Sequence, residues 1–212
     1  MTVPATAGVL RERLSDMKVG DYIVCKYVAT NGAVGTFSEL GTSVATEIPV
    51  TGAAIPNGIF YFVKTNKGLL FSDRVVQTNI SWDVLNAEKA IQGKPQTFDM
   101  TVGTLRSLSG GVAWADENGN SSTTDKGFGA WPANNEWDRY IVGFPSNLIQ
   151  TGKTLYDVFN HYDAFSWTQD TPISIIAAST LRTIRTRNTI NRNISNGIPT
   201  NVGFRPAFEY KE

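Results

Sequence analysis

Apolar and polar residues alternate most regularly between positions 202 and 210. Val202, Phe204, Pro206, Phe208 and Tyr210 fall on one side of an extended chain, and Gly203, Arg205, Ala207 and Glu209 on the other, the period of two expected of a strand. Pro206 has no amide hydrogen to give to a ladder, so this strand is expected at a sheet edge or with a bend at that point. A hairpin is predicted over residues 58–76. Ile59, Phe60, Tyr61, Phe62 and Val63 make an aromatic-rich strand, Asn66-Lys67-Gly68 turns the chain, and residues 69–76 return. Residues 21–28 read as a further strand in which Ile23, Cys25 and Tyr27 share one face. That placement makes Cys25 a small core residue rather than a reactive thiol. Residues 173–178 read as a buried strand.

Helical spacing occurs only in short runs. Leu10, Leu14 and Met17 recur at helical intervals, giving either a mobile arm, a docking helix or a helix packed on its own domain. Ser81 caps a predicted helix carrying Trp82, Val84, Leu85 and Ile91. Asn134 or Asn135 caps a second, with Trp137, Tyr140 and Ile141. Thr154 caps a third, with Leu155, Val158, Phe159 and Tyr162 on one stripe. Between residues 109 and 129 the chain is Gly, Ser, Thr, Asn and Asp with few apolar residues, which predicts a long irregular loop. Loops of that length in compact domains usually carry function or move. The expected class is α+β, mixing short strands and helices with long loops. An N-terminal arm or helix (1–18) precedes a β-rich part (19–80), and residues 81–212 continue it in one globule.

Composition narrows the functions. With 41% hydrophobic and 18% charged residues over 212 positions, the chain suits an ordered core and buries roughly 70% of its unfolded surface. Nineteen Lys and Arg balance nineteen Asp and Glu, so no basic excess favours a phosphate backbone, and nucleic acid is not an expected partner. No stretch approaches the roughly 20 apolar residues that span a bilayer, so no membrane insertion is expected. Arg11, Glu12 and Arg13 interrupt the N-terminal region before a secretory apolar run forms. A soluble protein made in the cytoplasm is expected.

Catalytic constellations fail one by one. Cys25 is the only cysteine, which excludes an intrachain disulfide and a cysteine-based metal site. His161, the only histidine, lies beside Phe159 and Tyr162 and reads as structural or surface-exposed, leaving a serine triad without another base. No serine sits in a GxSxG elbow. Ser109-Gly110-Gly111 runs into Val112-Ala113, without the Lys-Ser/Thr of a phosphate loop. Asp116-Glu117-Asn118-Gly119-Asn120 is spaced so that Ser121 and Gly127 stand where a calcium loop needs glycine and glutamate, so a polar turn is expected. No catalytic residue, cofactor or metal is assigned, and the chain is not expected to be an enzyme. Converging carboxylates of the glycosidase kind stay open as an alternative. Of the five tryptophans, at 82, 114, 131, 137 and 167, Trp114 and Trp131 flank the polar loop and are the expected exceptions to core packing.

Three segments carry a resemblance. Ala130-Trp131-Pro132-Ala133-Asn134-Asn135-Glu136-Trp137-Asp138 resembles the "LPTEAEWE" helix of the formylglycine-generating-enzyme branch of the C-type lectin fold. Residues 181–193 are similar to that branch's Arg- and Asn-rich stretch, and Asn201-Val202-Gly203-Phe204-Arg205 to its terminal "NVGFR" strand. With Ser109-Gly110-Gly111 and Thr171-Pro172, the set also resembles virion proteins of phages and prophages of Gram-positive hosts, in which "NEWD" and "GFRP" recur as a pair. The resemblance implies a C-type-lectin-like domain over residues 81–212 with a β-rich N-terminal extension. The enzyme branch works through paired cysteines, and no cysteine follows Cys25, so its activity does not carry over. Ala133 stands where the branch has a capping threonine.

The function so implied is a virion structural protein at the tail tip, fibre or baseplate, assembled in the host cytoplasm and presenting a host-surface-binding lectin-like domain. Alternatives are a capsid decoration or head-fibre protein, and an enzyme that degrades host glycans. The resemblance also implies a homo-oligomer, a trimer by preference, with Leu10, Leu14 and Met17 as a possible contact, alongside other virion proteins. It places the segment before the "GFR" strand on the ligand-facing side. There Arg185, Arg187, Asn188, Asn191, Arg192 and Asn193 offer donors and amides suited to a host glycan or an anionic cell-wall polymer. Trp114 and Trp131 complete the candidate set. The alternative is that these arginines pair with carboxylates and stiffen the loop.

Overall fold

The aromatic run at residues 59–63 becomes the middle of the molecule. The structure, a computed structural model, describes residues 2–38, 41, 45–124, 129–161, 164–173, 180–186 and 189–212. Strands β1 (Leu10–Arg11), β2 (Tyr22–Val28), β3 (Thr36–Ser38), β4 (Asn57–Asn66), β5 (Leu69–Ser72) and β6 (Gln77–Thr78) precede helix α1 (Trp82–Ala87). Next come β7 (Lys94–Phe98), β8 (Thr101–Arg106), a π-helix (Trp137–Val142) and α2 (Leu155–Phe159). The chain finishes with β9 (Phe165–Trp167), β10 (Leu181–Arg185), β11 (Ile190–Ile194), β12 (Val202–Phe204) and β13 (Ala207–Tyr210). This is a mixed α+β chain, mostly strands with a few short helices. Most of the strand expected at 173–178 lies outside the described residues.

Two sheets organise these strands. One runs β1-β2-β4-β5-β13-β8-β7 with β3 also on β2, and the other runs β11-β10-β9-β12-β6. β12 pairs with β6 and β13 with β5, so both sheets take strands from either side of residue 80. Phe60 and Phe62 of β4 join Ile23, Cys25 and Tyr27 of β2 in the main core, while Ile59 and Tyr61 pack with Val24 on the opposite side. Both faces of β4 are thereby covered, which is why its sequence is a continuous apolar run rather than an alternation. Cys25 is fully buried, and burial pushes its thiol pKa well up. The β4–β5 turn needs Gly68. Its φ is +62°, and a Cβ there would lie 2.2 Å from the Tyr210 carbonyl oxygen.

The regular alternation at 202–210 marks the buried face correctly, because Val202, Phe204, Phe208 and Tyr210 all enter the main core. The run is nevertheless two strands rather than one. It breaks at Arg205-Pro206, where the chain leaves the second sheet for the first, and β13 is an interior strand between β5 and β8. Pro206 causes the break rather than marking an edge. Its carbonyl still accepts the Ser72 N–H at 3.0 Å, but it has no N–H of its own to give. Arg205, Ala207 and Gly203 on the second face are buried as well.

The helix suggested by Leu10, Leu14 and Met17 is replaced by strand β1 and one 3₁₀ turn at Leu14–Asp16. Asp21 is the reason. Its carboxylate accepts the Val9 N–H at 2.9 Å, the Lys18 N–H at 2.9 Å and Arg11 Nε at 2.7 Å, folding the segment back on itself. Burial alone would raise the Asp21 pKa, and these bonds outweigh it and hold it below the ordinary value. Leu14 and Met17 are core residues while Leu10 is half exposed, so the three do not make one contact stripe.

The caps form as the sequence implies. Ser81 Oγ accepts the Val84 N–H at 3.2 Å. Thr154 donates its N–H and its hydroxyl to Asp157 Oδ2 at 2.8 and 2.9 Å. Asn135, rather than Asn134, caps the π-helix, its Oδ1 accepting the Asp138 N–H at 3.0 Å. Among the described residues no helix is long and apolar enough to cross a membrane.

Candidate functional site

The polar sequence after residue 108 becomes a loop with a tied base and an open tip. At the base, Ser109 and Glu136 bond reciprocally: Ser109 Oγ accepts the Glu136 N–H at 3.0 Å, and Glu136 accepts the Ser109 N–H at 2.9 Å. Arg106, at the end of β8, clamps Glu136 with two bonds, one of 2.7 Å, and holds Glu209 of β13 at 3.0 Å. Arg185, from β10, donates to the Gly110 carbonyl at 2.9 Å and pairs with Asp138. Asp170 accepts the Gly110 N–H at 2.6 Å. Burial raises the Asp170 pKa to about 6, against the opposing pull of Gly110, Thr168 and Arg185.

A second buried arginine explains the "GFRP" segment. Arg205 donates to the Ser72 and Phe159 carbonyls, both at 2.9 Å, and to Ser166 Oγ at 3.1 Å, so it pins the junction of the sheets through two backbone oxygens and one hydroxyl.

Beyond the base, the loop folds on itself. The Val112 N–H bonds the Trp131 carbonyl at 2.7 Å, and the Ser122 N–H bonds that of Trp114 at 2.8 Å. Ala113 and Ala130 pack with Ile190 of β11, and the half-buried Trp114 packs against them. Trp114 has a φ of +63°, a left-handed backbone that bulky residues rarely adopt, held by these surrounding bonds. Asp116 Oδ1 accepts the Asn118 and Asn120 N–H groups at 2.9 and 2.8 Å, making the expected polar turn. Among the described residues no group of three or more His, Cys, Asp or Glu is placed to hold a metal ion.

The candidate ligand residues divide. Arg185 is fully buried and tied to the interior, which corrects its assignment to the ligand-facing surface: its partner Asp138 draws it inward. Arg187 and Asn188 lie outside the described residues. Asn191, Arg192 and Asn193 stand on β11, an edge strand, with Asn191 and Arg192 exposed. Both asparagines turn back on the chain, Asn191 accepting the Arg192 N–H and Asn193 the Ile194 N–H, each at 2.8 Å. The Arg192 guanidinium lies over the Trp114 ring at 5.2 Å, so the structure brings these two together. Trp131 is 37% exposed, whereas Trp82, Trp137 and Trp167 are buried. His161 is buried elsewhere, near Tyr156.

No family model, curated protein or solved structure matches the chain.

Sequence reasoning missed the residues beside Trp131. A depression of about 70 Å³ opens there, lined by Asp116, Glu117, Gly129, Trp131 and Ala133. The sequence reads 116–120 as a polar turn, and nothing in its spacing joins that turn to a tryptophan beyond it in the chain. Larger concavities lie away from this loop, one of about 460 Å³ beside Thr2, Lys153 and Tyr156 and one of about 510 Å³ along Val102 and Tyr210.

Proposed function

We propose that this chain is a phage virion structural protein of the tail tip, fibre or baseplate, with a C-type-lectin-like domain that meets the host surface. The observation that carries the reading is the loop after residue 108. Its base is fixed by Arg106, Arg185 and Asp170, while its tip leaves Trp131 exposed beside a polar turn. Fixing the base and exposing the tip is how a binding loop keeps its shape at low entropic cost. Residues Asn191 and Arg192 on the neighbouring edge strand extend the polar face. The protein works as a homo-oligomer, a trimer by preference, among other virion proteins.

Antibody labelling of virions in electron micrographs tests this. Label at the tail end, with adsorption to host cells blocked by the same antibody, supports the reading. Label on the head moves the protein to a capsid decoration or head fibre, and unlabelled particles remove the virion assignment altogether.

A further inference from the structure

A β-sheet ends in strands whose outer N–H and C=O groups have no ladder partner, and such an edge recruits any extended chain it meets, a second copy above all. The end strands here are β1 and β7 in one sheet and β11 and β6 in the other, with β3 beside β1 on β2. β1 and β6 are two residues long and β3 is three, too short to template a partner. β6 is also covered, since Ala53 bridges Gln77 and its carbonyl accepts the Thr78 N–H at 3.0 Å. β7 is longer. Its register with β8 brackets a two-residue turn at Asp99-Met100, which puts the outward backbone groups of β7 on Pro95 and Thr97. Pro95 has no N–H to offer, and the Thr97 carbonyl accepts the Gln96 side-chain amide at 3.2 Å.

β11 is the other long edge, with five residues and no proline. Its inward groups are fixed by two flanking bonds, Thr186 N–H to the Thr189 carbonyl and Ser195 N–H to the Thr180 carbonyl. Counting by twos from either bond, the backbone groups of Asn191 and Asn193 face β10, and those of Ile190, Arg192 and Ile194 face outward. Two of these three outward N–H groups are already bonded. Asn191 Oδ1 accepts from Arg192 and Asn193 Oδ1 from Ile194, each at 2.8 Å. Each cap comes from the residue just before the amide it covers, so the device repeats in step with the ladder. Ile194 is 45% exposed and Ile198 is 64% exposed, which would make an open edge here adhesive. We propose that Asn191 and Asn193 are a seal that keeps a second copy of this chain from adding to the sheet through β11. An incoming strand needs those two donors and must first displace both side-chain oxygens, while the charge of Arg192 between them resists burial. Copies of the chain therefore meet through faces or loops, not through this edge. The seal is a property of the fold and stands apart from the virion reading.

The test is the double variant Asn191→Thr with Asn193→Thr in the full chain. Threonine is polar and suits a strand, but its hydroxyl sits one bond nearer the backbone and does not reach the following N–H. Sedimentation velocity reads association over a range of concentrations, and hydrogen exchange reads the Arg192 and Ile194 amides. The double variant is expected to melt like the parent and to reach roughly twice the parent's mass or more as concentration rises. In dilute solution its two amides exchange roughly tenfold faster than the parent's, and they regain protection as the variant associates. Arg192→Thr brings a similar gain in strand propensity, leaves both caps in place and keeps the parent's mass. Asn193→Thr alone, which frees only the Ile194 N–H, carries the same readings if the double variant does not fold. The proposal is overturned if the unsealed variants keep the parent's mass at every concentration, or if Arg192→Thr associates as strongly. It is also overturned if the parent's two amides exchange as fast as the variant's, or if association restores no protection to them.

Discussion

The β4–β5 hairpin and the loop after residue 108 are held in place by opposite means. In the hairpin, Phe60, Phe62 and Phe71 are fully buried and surrounded by other apolar groups. At the loop base, buried or nearly buried charges do the holding: Arg106 on Glu136, Arg185 on Asp138, and Asp170 on the Gly110 N–H. Apolar burial is strong and non-directional, so it fixes that the hairpin is inside without fixing each atom. Charge-assisted bonds repay little net stability after desolvation, but they are directional. The chain uses the first where it needs mass and the second where it needs position.

Two substitutions of similar and largest effect sharpen that contrast. Phe62→Ala is expected to destabilise the fold by about 3–5 kcal/mol through lost transfer energy and a cavity. Arg185→Ala is expected to cost about 3–5 kcal/mol for a different reason, the Asp138 carboxylate left buried and unpaired. Urea unfolding measures both. Only the second loss is recoverable: Arg185→Met combined with Asp138→Leu regains most of the stability, yet leaves the Gly110 amide exchanging faster with solvent. A double variant as unstable as Arg185→Ala alone would mean that packing, not charge, secures the loop base.

A smaller effect separates tip from base. Gly119→Ala forces a side chain into a left-handed backbone and against the Trp131 ring, at a cost of about 1–3 kcal/mol. The displaced indole becomes more accessible to acrylamide quenching, while the Gly110 amide keeps its protection. Unchanged quenching would show that the turn does not set the indole.

A last effect concerns pH. Burial raises Asp170 from its ordinary 3.8 to about 6. Between those values the folded state keeps a proton that the unfolded chain has released, so stability falls as pH rises through the window. Asp170→Asn removes this dependence. The parent therefore loses melting temperature relative to the variant between pH 3.8 and about 6, and the gap is constant above. A gap that instead opens below pH 3.8 would contradict the raised value.

The sequence disclosed local structure better than partnership. The 58–72 hairpin is legible because a β-branched and aromatic run meets an Asn-Lys-Gly turn, and the caps at Ser81 and Thr154 because each needs only its own next three residues. Leu10, Leu14 and Met17 mislead because their spacing suits a helix, whereas the Asp21 carboxylate imposes a turn from further along the chain. The exposure of Trp131 is legible from the polar loop that it flanks. Arg185 is not, since a run of Arg and Asn reads as surface and Asp138, which draws it inside, is distant in sequence. The "NEWD" run is informative for the same reason. Its Asn135, Glu136 and Asp138 are the loop's own fastenings.

The break at Arg205-Pro206 bears on how the molecule is made. β12 lies between β9 and β6, and β13 lies between β5 and β8, so one short segment supplies an inner strand to each sheet. Neither sheet can close until residues 202–210 have emerged from the ribosome. Until then β5 and β8 wait without the strand that joins them, and the ring of Phe62 and Phe98 lacks Phe208. Synthesis takes seconds for a chain of this length, and pairings so remote in sequence are slow to find. Sticky half-sheets therefore stand open during translation, and the yield of native protein depends on how well the nascent chain is shielded until that segment arrives.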